Sequence, residues 1–495
     1  AVALAHLAKQ SPEDAVWKAT EALKAAKKAG DKEGEALALE ATAKCYAMQG
    51  DFKKGAQAAK DAVALESGAK EATGMVLLSE MQIGLDDPDE ALSTAKDALS
   101  KATAAGDKAA QVAAVGAVVS AQLKRQAPEE ALNAVQIELE RFRKAGDQKE
   151  EALLLCKTAE IHVLNKEADQ GLGPVRDAST IFRSLGDKKG EAQALATQAQ
   201  ILLDEQDAAD ALRVAETAMS LFGELGKKGT DGYLAAFETM INANVMMGAV
   251  EEAFSLAVDS LKAFNSKRDK KGEATVLMVI GDLQMSRNDL DGALSGMEQT
   301  PALFLACGDK KGEAAAWSKI AQLRFAKSEF GLALRASEEA LVAYKKMGDK
   351  AGIAVASQLV AEAHFSLVPS GQGNPREALR AAKEAVSMYE ALGDRPSEAN
   401  ALQTLANAQL MSHSNTDAQR TARQAEQLFQ DLGDARGQAA ALLLVSGGYL
   451  GQGEYAEAKD AAKEARDFFR QVGDSAGEDS VEDFLDTLKQ YESGQ

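Results

Sequence analysis

A seven-residue phrase, GDKKGEA, stands at 186–192 and recurs letter for letter at 308–314, with shorter forms at 30–36 (GDKEGEA) and 269–274 (DKKGEA). Its Gly-Asp pair sets a register along the chain. The pair opens at Gly30, Gly106, Gly146, Gly186, Gly308, Gly348, Gly393, Gly433 and Gly473, and degenerate forms fill the gaps at Gly68, Gly226 and Arg268. Successive marks lie 38 to 45 residues apart, most of them 40. A period of this length means that one supersecondary unit is reused, each copy burying its apolar face on its neighbours. The expectation is one uninterrupted array with no domain boundary.

Each period contains two helical patterns. In 191–225, Ala192, Leu195, Ala199 and Leu202 fall on one face. After the polar break 204-DEQDAADA-211, Ala211, Ala215, Ala218, Phe222 and Leu225 form a second face. Both series step by three and four, the helical spacing. The unit is therefore helix A, tight turn, helix B. The repeated phrase then reads as the joint between units. Its glycine suits the left-handed residue that ends helix B. Its aspartate caps the next helix A, and its glutamate faces the positive end of that helix. Its second glycine removes a side chain where successive helices crowd. A phosphate-cradling reading of the phrase is the weaker alternative, because a P-loop needs GxxxxGK[ST] after a strand and neither is here.

Two further positions keep the phase. Pro12, Pro88, Pro128 and Pro375 each stand three residues before a recurrent alanine (Ala15, Ala91, Ala131, Ala378), as proline does in the first turn of a helix. Phe142, Phe182, Phe222, Phe264, Phe304, Tyr344, Tyr389, Phe429 and Phe469 each stand four residues before a joint. They are expected to be core knobs between repeats rather than stacking platforms for bases.

The paired small residues of helix B, Ala91 with Ala98, Ala211 with Ala218, Ala333 with Ala340, Ala378 with Ala385, Ala418 with Ala425 and Ala458 with Ala465, make the chain resemble the tetratricopeptide repeat family in its longer variant of about forty residues. The closing proline of the short variant is replaced by the Gly-Asp joint. The resemblance implies an all-α, right-handed superhelical solenoid of about 12 repeats. The expected organisation is a truncated first repeat at 1–29, eleven repeats over 30–472, and a C-terminal capping helix at 473–495, where Val481, Phe484, Leu485 and Leu488 form one stripe. Residues 1–10 read as the cut end of a helix A, and the C-terminus reads as native.

Three places depart from the pattern. The segment 366-SLVPSGQGNPREAL-379 carries five extra residues and is expected to be a surface loop, either a contact or a disordered tip. Pro301 should break its helix B near Thr300. The run 170-QGLGPVRD-177 should delay or shorten another helix B.

Composition narrows the function. The chain has 495 residues and a formal net charge of −20, a field that repels nucleic-acid phosphates and anionic lipid. No apolar run is expected to span a bilayer. Cys45, Cys156 and Cys307 are far apart and odd in number, which suits small buried hydrophobes in an intracellular, cytoplasmic or organellar protein. His6, His162, His364 and His413 lie in different units, with no partner at metal-ligand spacing. No enzyme signature is present, and no cofactor or metal is expected.

By the resemblance, helix A lines a concave groove. The implied groove-facing positions are Lys44, Glu80, Ser120, Glu160, Gln200, Asn242, Asp282, Gln322, Glu362, Asn407 and Gly447, with Glu40, Glu238, Gln358 and Gln403 one turn earlier. The candidate binding set is Glu80, Glu160, Gln200, Glu238, Asn242, Asp282, Gln322, Gln358, Glu362, Gln403 and Asn407. Amides serve a peptide backbone as donor and acceptor, and carboxylates favour Lys or Arg on the ligand. The cationic clamp by which tetratricopeptide co-chaperones hold acidic tails is missing. The expected role is a protein-interaction scaffold gripping a basic or neutral segment, without nucleic acid or membrane insertion. The alternative is a structural subunit of a large complex, docking by its outer faces.

Overall fold

The computed structural model describes residues 12–48 and 50–493. These form helices and turns, with no strand among the described residues. They divide into two compact units rather than one undivided array. The first runs to Arg287 and takes in Ala306–Asp309. It contains α1 (Pro12–Ala29), α2 (Lys32–Met48), α3 (Phe52–Val63), α4 (Gly68–Gly84), α5 (Pro88–Ala105), α6 (Lys108–Lys124), α7 (Pro128–Ala145), α8 (Gln148–Leu164), α9 (Ala168–Ser184), α10 (Lys188–Asp204), α11 (Ala208–Glu224), α12 (Thr230–Met246), α13 (Val250–Lys267) and α14 (Lys270–Ser286). The second is Asn288–Leu305 with the chain from Lys310 onward. It contains α15 (Leu290–Met297), most of α16 (Thr300–Cys307), α17 (Lys310–Ala326), α18 (Phe330–Met347), α19 (Lys350–Ser366), α20 (Pro375–Leu392), α21 (Arg395–Met411), α22 (Asn415–Leu432), α23 (Ala435–Gln452), α24 (Tyr455–Gln471) and α25 (Ser475–Ser493). Within each unit, helical hairpins stack as a solenoid. Helix A is the even-numbered element up to α14, then α17, α19, α21 and α23.

The joint works as its residues dictate. All twelve register positions, including Arg268, have positive φ, the left-handed conformation that ends a helix. At most joints the next aspartate accepts from a backbone N–H in the first turn of helix A, as in Asp187 from Gly190 N at 3.0 Å and Asp434 from Gly437 N at 2.9 Å, although Asp147 makes no such bond. The second glycine and the recurrent aromatic turn out to be two halves of one contact. A Cβ on Gly190 would stand 2.5 Å from Phe182 Cδ1, on Gly272 2.1 Å from Phe264 Cδ1, and on Gly352 2.0 Å from Tyr344 Cδ1. Where Ala26 replaces the aromatic, Gly34 meets only its methyl, at 3.3 Å, besides the Asp31 carboxylate. The paired alanines of helix B are all fully buried, so neighbouring helices approach closely. In the last helix Val481, Leu485 and Leu488 are buried against the preceding hairpin, with Phe484 partly so.

The break at Pro301 occurs as expected: α15 ends at Met297 and α16 begins at Thr300. Proline has no N–H to offer the carbonyl of Met297, four residues back. The buried Thr300 hydroxyl donates to that carbonyl instead, at 2.7 Å. The expected delay at 170–177 is corrected. Helix α9 begins at Ala168 and keeps its full 17 residues with Pro174 inside it. Gly171 takes the place of the recurrent alanine, where a Cβ would stand 3.2 Å from Ile201 Cδ1 and 3.3 Å from the Ala159 carbonyl. Val175, Ala178 and Phe182 on the same stripe are buried. Packing thus outweighs the local propensity of the glycines and proline.

The five extra residues at 366–379 form an ordered connection. A 3₁₀ turn, Val368–Ser370, is followed by left-handed Gly371. Asn374 then caps α20 by accepting from Arg376 N at 3.1 Å. The expectation that no segment could span a bilayer also needs correcting. The segment Lys350–Ser370 is long and apolar enough by length and composition, with mean hydropathy 1.4, and 56% of it is buried. Its alanines and valines meet helices on both sides, so apolar character runs around α19 rather than along one stripe. His6 and residues 1–10 lie outside the described residues.

Candidate functional site

In each unit, successive helices A touch one another: α4 on α6 and α10 on α12 in the first, α17 on α19 and α21 on α23 in the second. Successive helices B make no contact of comparable extent among the described residues. Two stacked layers with unequal spacing bend toward the closer one, so the helix A side is the inner side of each unit.

The sequence-derived positions fall on this face at one point per hairpin. Glu80, Glu160, Gln200, Glu238, Asn242, Asp282 and Gln322 are exposed, whereas Gln358, Glu362, Gln403 and Asn407 are partly buried. Several already have partners. Lys157 pairs with Glu160 at 2.6 Å. Gln200 donates to Asp204 at 2.9 Å and accepts from Thr239 at 3.4 Å. Gln358 donates to Glu362 at 2.9 Å, and Gln403 donates to the Gly437 carbonyl at 3.0 Å.

Three members of the set come together in the first unit. Glu238, Asn242 and Asp282 line one cleft between α12 and α14, with Ile241, Val245, Val279, Leu283 and Ser286, about 360 Å³ in volume. The lining positions are 238, 241, 242 and 245 on α12 and 279, 282, 283 and 286 on α14, the spacing of one helical face on each side. Ile241 and Leu283 are buried and make the floor. Val279 and the exposed Val245 make the walls, and the polar residues make the rim. Periodicity identified the polar members, but the apolar floor was missed. Its signal was available, since each floor residue adjoins a groove position in sequence.

Surrounding protein raises several carboxyls on this face. Desolvation pushes Glu40 and Glu80 up, and Lys44 partly offsets both. Desolvation also pushes Glu238 up, with no charged neighbour to offset it. The side chains of Glu80 and Glu238 reach water, but the inward curve of the surface places protein around them. Glu362 is raised by desolvation and partly relieved by the Gln358 amide.

Elsewhere, chemistry is sparse. Among the described residues no group of three or more His, Cys, Asp or Glu is placed to hold a metal ion. Burial pushes the Cys156 thiol up to about 12, so it is not a thiolate at neutral pH. His162 lies 3.4 Å from Glu167 at the end of α8. His364 is buried with Nδ1 unpartnered.

No protein-family model matches this sequence, and no curated protein matches it. Solved structures do resemble it. One is a signal transduction ATPase with numerous domains and a tetratricopeptide repeat sensor from Pyrococcus horikoshii, with 14% identity and a TM-score of 0.46. That match covers 74% of this chain and 54% of the other, so this chain spans about half its length. Aspartyl phosphate phosphatase F from Bacillus subtilis matches with 13% identity and TM-score 0.43, covering 74% of this chain and 95% of the other. Yeast Tom70 matches with 13% identity and TM-score 0.37, covering 93% and 97%.

Proposed function

We propose that this protein is a non-enzymatic interaction scaffold whose helix A face in the first unit holds an extended peptide or a helix of a protein partner. The observation that carries the reading is the convergence of Glu238, Asn242 and Asp282 around one apolar-floored cleft. Rim groups of this kind fix a segment's orientation while the floor buries its apolar atoms. The inward curve of the A layer favours a narrow ligand over a broad protein surface. Partners are proteins, with a basic or neutral segment, in keeping with the net charge of −20.

The test is cross-linked co-purification from the native source, with linked peptides identified by mass spectrometry, repeated with Glu238, Asn242 and Asp282 changed to alanine. One partner segment should cross-link to α12 and α14 and disappear in the triple variant. A second reading, a structural subunit docking by its outer faces, has its own support. Trp17 on α1, Ile137 on α7 and Val342 on α18 are exposed on helices B, at 63%, 54% and 49%. Cross-links confined to helices B and unchanged in the triple variant would select that reading instead.

A further inference from the structure

A second cavity in the first unit shares no residue with the cleft between α12 and α14. It is about 300 Å³ in volume and lies between the ends of α11 and α13 and the start of α12. At three other joints the residue after the recurrent aromatic bridges to the glutamate of the next helix. Arg143 meets Glu151 at 2.7 Å, Arg183 meets Glu191 at 2.7 Å, and Arg470 meets Glu478 at 3.1 Å. Here both partners are replaced. Gly223 stands where those arginines stand, and Tyr233 where the glutamates stand. Two extra residues, within the 3₁₀ turn Gly226–Gly229, lengthen this joint. The register holds across them, because a Cβ on Gly232 would stand 2.3 Å from Phe222 Cε1, the contact that Gly190 makes with Phe182. A Cβ on Gly223 would meet nothing within 4 Å. The ion pair that closes the other joints is missing, and a cavity takes its place.

Three rings wall this cavity: Phe222, Phe264 and Tyr233, with Tyr233 set edge-on to Phe264 at 5.3 Å and 89°. Its acid, Asp269, is already engaged, accepting from Gly272 N at 3.2 Å and from the Thr230 hydroxyl at 3.0 Å. Lys267 lines the cavity with no ion-pair partner among the described residues, and the Tyr233 hydroxyl has no hydrogen-bond partner there. Local charge runs against the chain's net −20. Residues 223–233 and 263–271 carry six cations and three acids. Each acid is occupied: Glu224 by Lys188, Asp231 by Lys271, and Asp269 by the two bonds above. Lys228, Lys267, Arg268 and Lys270 are unpaired among the described residues.

We propose that this cavity binds a small aromatic carboxylate, its ring among Phe222, Phe264 and Tyr233 and its carboxylate held by Lys267 and the Tyr233 hydroxyl. This goes beyond the scaffold reading and does not rest on it. The walls offer edges and faces to a bound ring, the arrangements that aromatic pairs prefer. The lysine supplies a charge-assisted bond, stronger than a neutral one. A volume at the lower end of small-molecule sites suits one or two fused rings rather than a length of polypeptide. The unpaired cations disfavour a cationic ring. A bound ligand touches α11, α12 and α13, and so ties two successive hairpins across a joint that lacks its own bridge.

The test titrates the full chain with three probes that share one ring system and differ in charge: naphthoate, naphthamide and naphthylmethylamine. Calorimetry should show saturable binding of naphthoate. The neutral amide should bind about tenfold more weakly, as expected for loss of a charge-assisted bond, and the amine should not bind. Added salt should weaken naphthoate alone. Lys267→Met keeps the apolar stem, and should weaken naphthoate about tenfold while leaving naphthamide unchanged. Gly223→Trp puts a ring of the protein's own into the open mouth and should abolish binding of both. Gly223→Ala controls for the change in helix propensity and should bind as the native chain does. Equal affinity for naphthoate and naphthamide would overturn the carboxylate assignment. Binding that survives Gly223→Trp, or no saturable binding of any probe, would overturn the site itself. Each of these outcomes leaves the cross-linking test of the α12–α14 cleft untouched, so the two readings fail separately.

Discussion

The helix A faces of the two units occupy the same phase of the repeat but use it differently. In the first unit the row is Glu80, Glu160, Gln200, Glu238, Asn242 and Asp282, all exposed. In the second it is Gln322, Gln358, Glu362, Gln403 and Asn407, and all but Gln322 are partly buried. There, two of the amides are spent on the protein itself, as Gln200 is in the first unit. Gln358 supports Glu362 on α19, and Gln403 reaches from α21 to the Gly437 carbonyl on α23. Period fixes where a residue sits, while the neighbouring side chains and backbone decide whether it stays open to solvent or stitches two helices. The first unit therefore presents the more exposed row, and the second the more internally bonded one.

The comparison supposes that each unit answers to its own contacts, as nearest-neighbour stability in a solenoid implies. The largest test acts on a joint. Gly352→Leu drives a side chain into the ring of Tyr344, already 2.0 Å from the position of a Cβ, and should cost about 3 kcal/mol. Hydrogen exchange should show lost protection in α18 to α20, with α4 to α12 unchanged. Equal loss in both units would break the comparison and make the chain one cooperative body. Gly116 in α6 is the control, with nothing within 4 Å of its Cβ position. Gly116→Ala should stabilise its region by about 0.5–1 kcal/mol.

Titration should separate the units by sign. Glu66, between α3 and α4, has a buried Oε2 with no hydrogen-bond partner. Desolvation first, then the charges of Glu40 and Glu71, push its carboxyl up from 4.5 to about 7, with Lys70 opposing. A raised carboxyl binds its proton more tightly when folded, so its stabilising contribution is complete below the ordinary value and is lost as pH rises through about 7. In the second unit, His364 is held below 6.5 by desolvation, opposed by Glu338 and Glu377. Its contribution is complete above 6.5 and is lost as pH falls through the depressed value. Exchange protection around α3 and α4 should decline from pH 5 to pH 8, and protection around α19 should decline in the opposite direction. Glu66→Gln should flatten the first profile alone. A slope that persists in that variant would remove Glu66 as its cause.

Much of the fold was legible because the joint is a phrase of specific residues. Glycine, aspartate and a second glycine each satisfy a stereochemical demand, and all twelve joints carry the expected left-handed residue. Other features were invisible for physical reasons. The turn from A to B also needs a left-handed residue, but Asp86, Gln126, Lys166, Gln206, Asn288, Ser328 and His413 supply it without glycine. Backbone bonds such as Asp87 N to the Gln82 carbonyl at 3.0 Å hold such turns, so no residue type marks them. The Phe182–Gly190 contact appeared as two separate periodic signals, because eight residues and a reversal of direction separate the partners. Of the candidate site, the polar row was legible from phase alone. Which members converge, and which turn inward as Gln403 does, depends on the packing of neighbouring helices A.

The smallest expected effect sharpens the contrast most directly. Glu238 and Glu362 are both glutamates on helix A whose carboxyls are raised by desolvation. Only Glu362 has an amide donor, Gln358, at 2.9 Å. Ionising Glu238 at neutral pH opposes folding without internal compensation, so Glu238→Gln should slightly raise the stability of the first unit. Glu362→Gln removes a comparable desolvation penalty but weakens the bond from Gln358, since a neutral acceptor is poorer than a carboxylate. It should leave the second unit nearly unchanged. Denaturant midpoints read by exchange in α12 and α19 would measure both. A gain at Glu238 coupled to loss of peptide binding is the signature of a group placed for a ligand at the expense of stability. Equal gains at both positions would mean that the two faces differ only in exposure, and the assignment of binding to the first unit would lose its electrostatic basis.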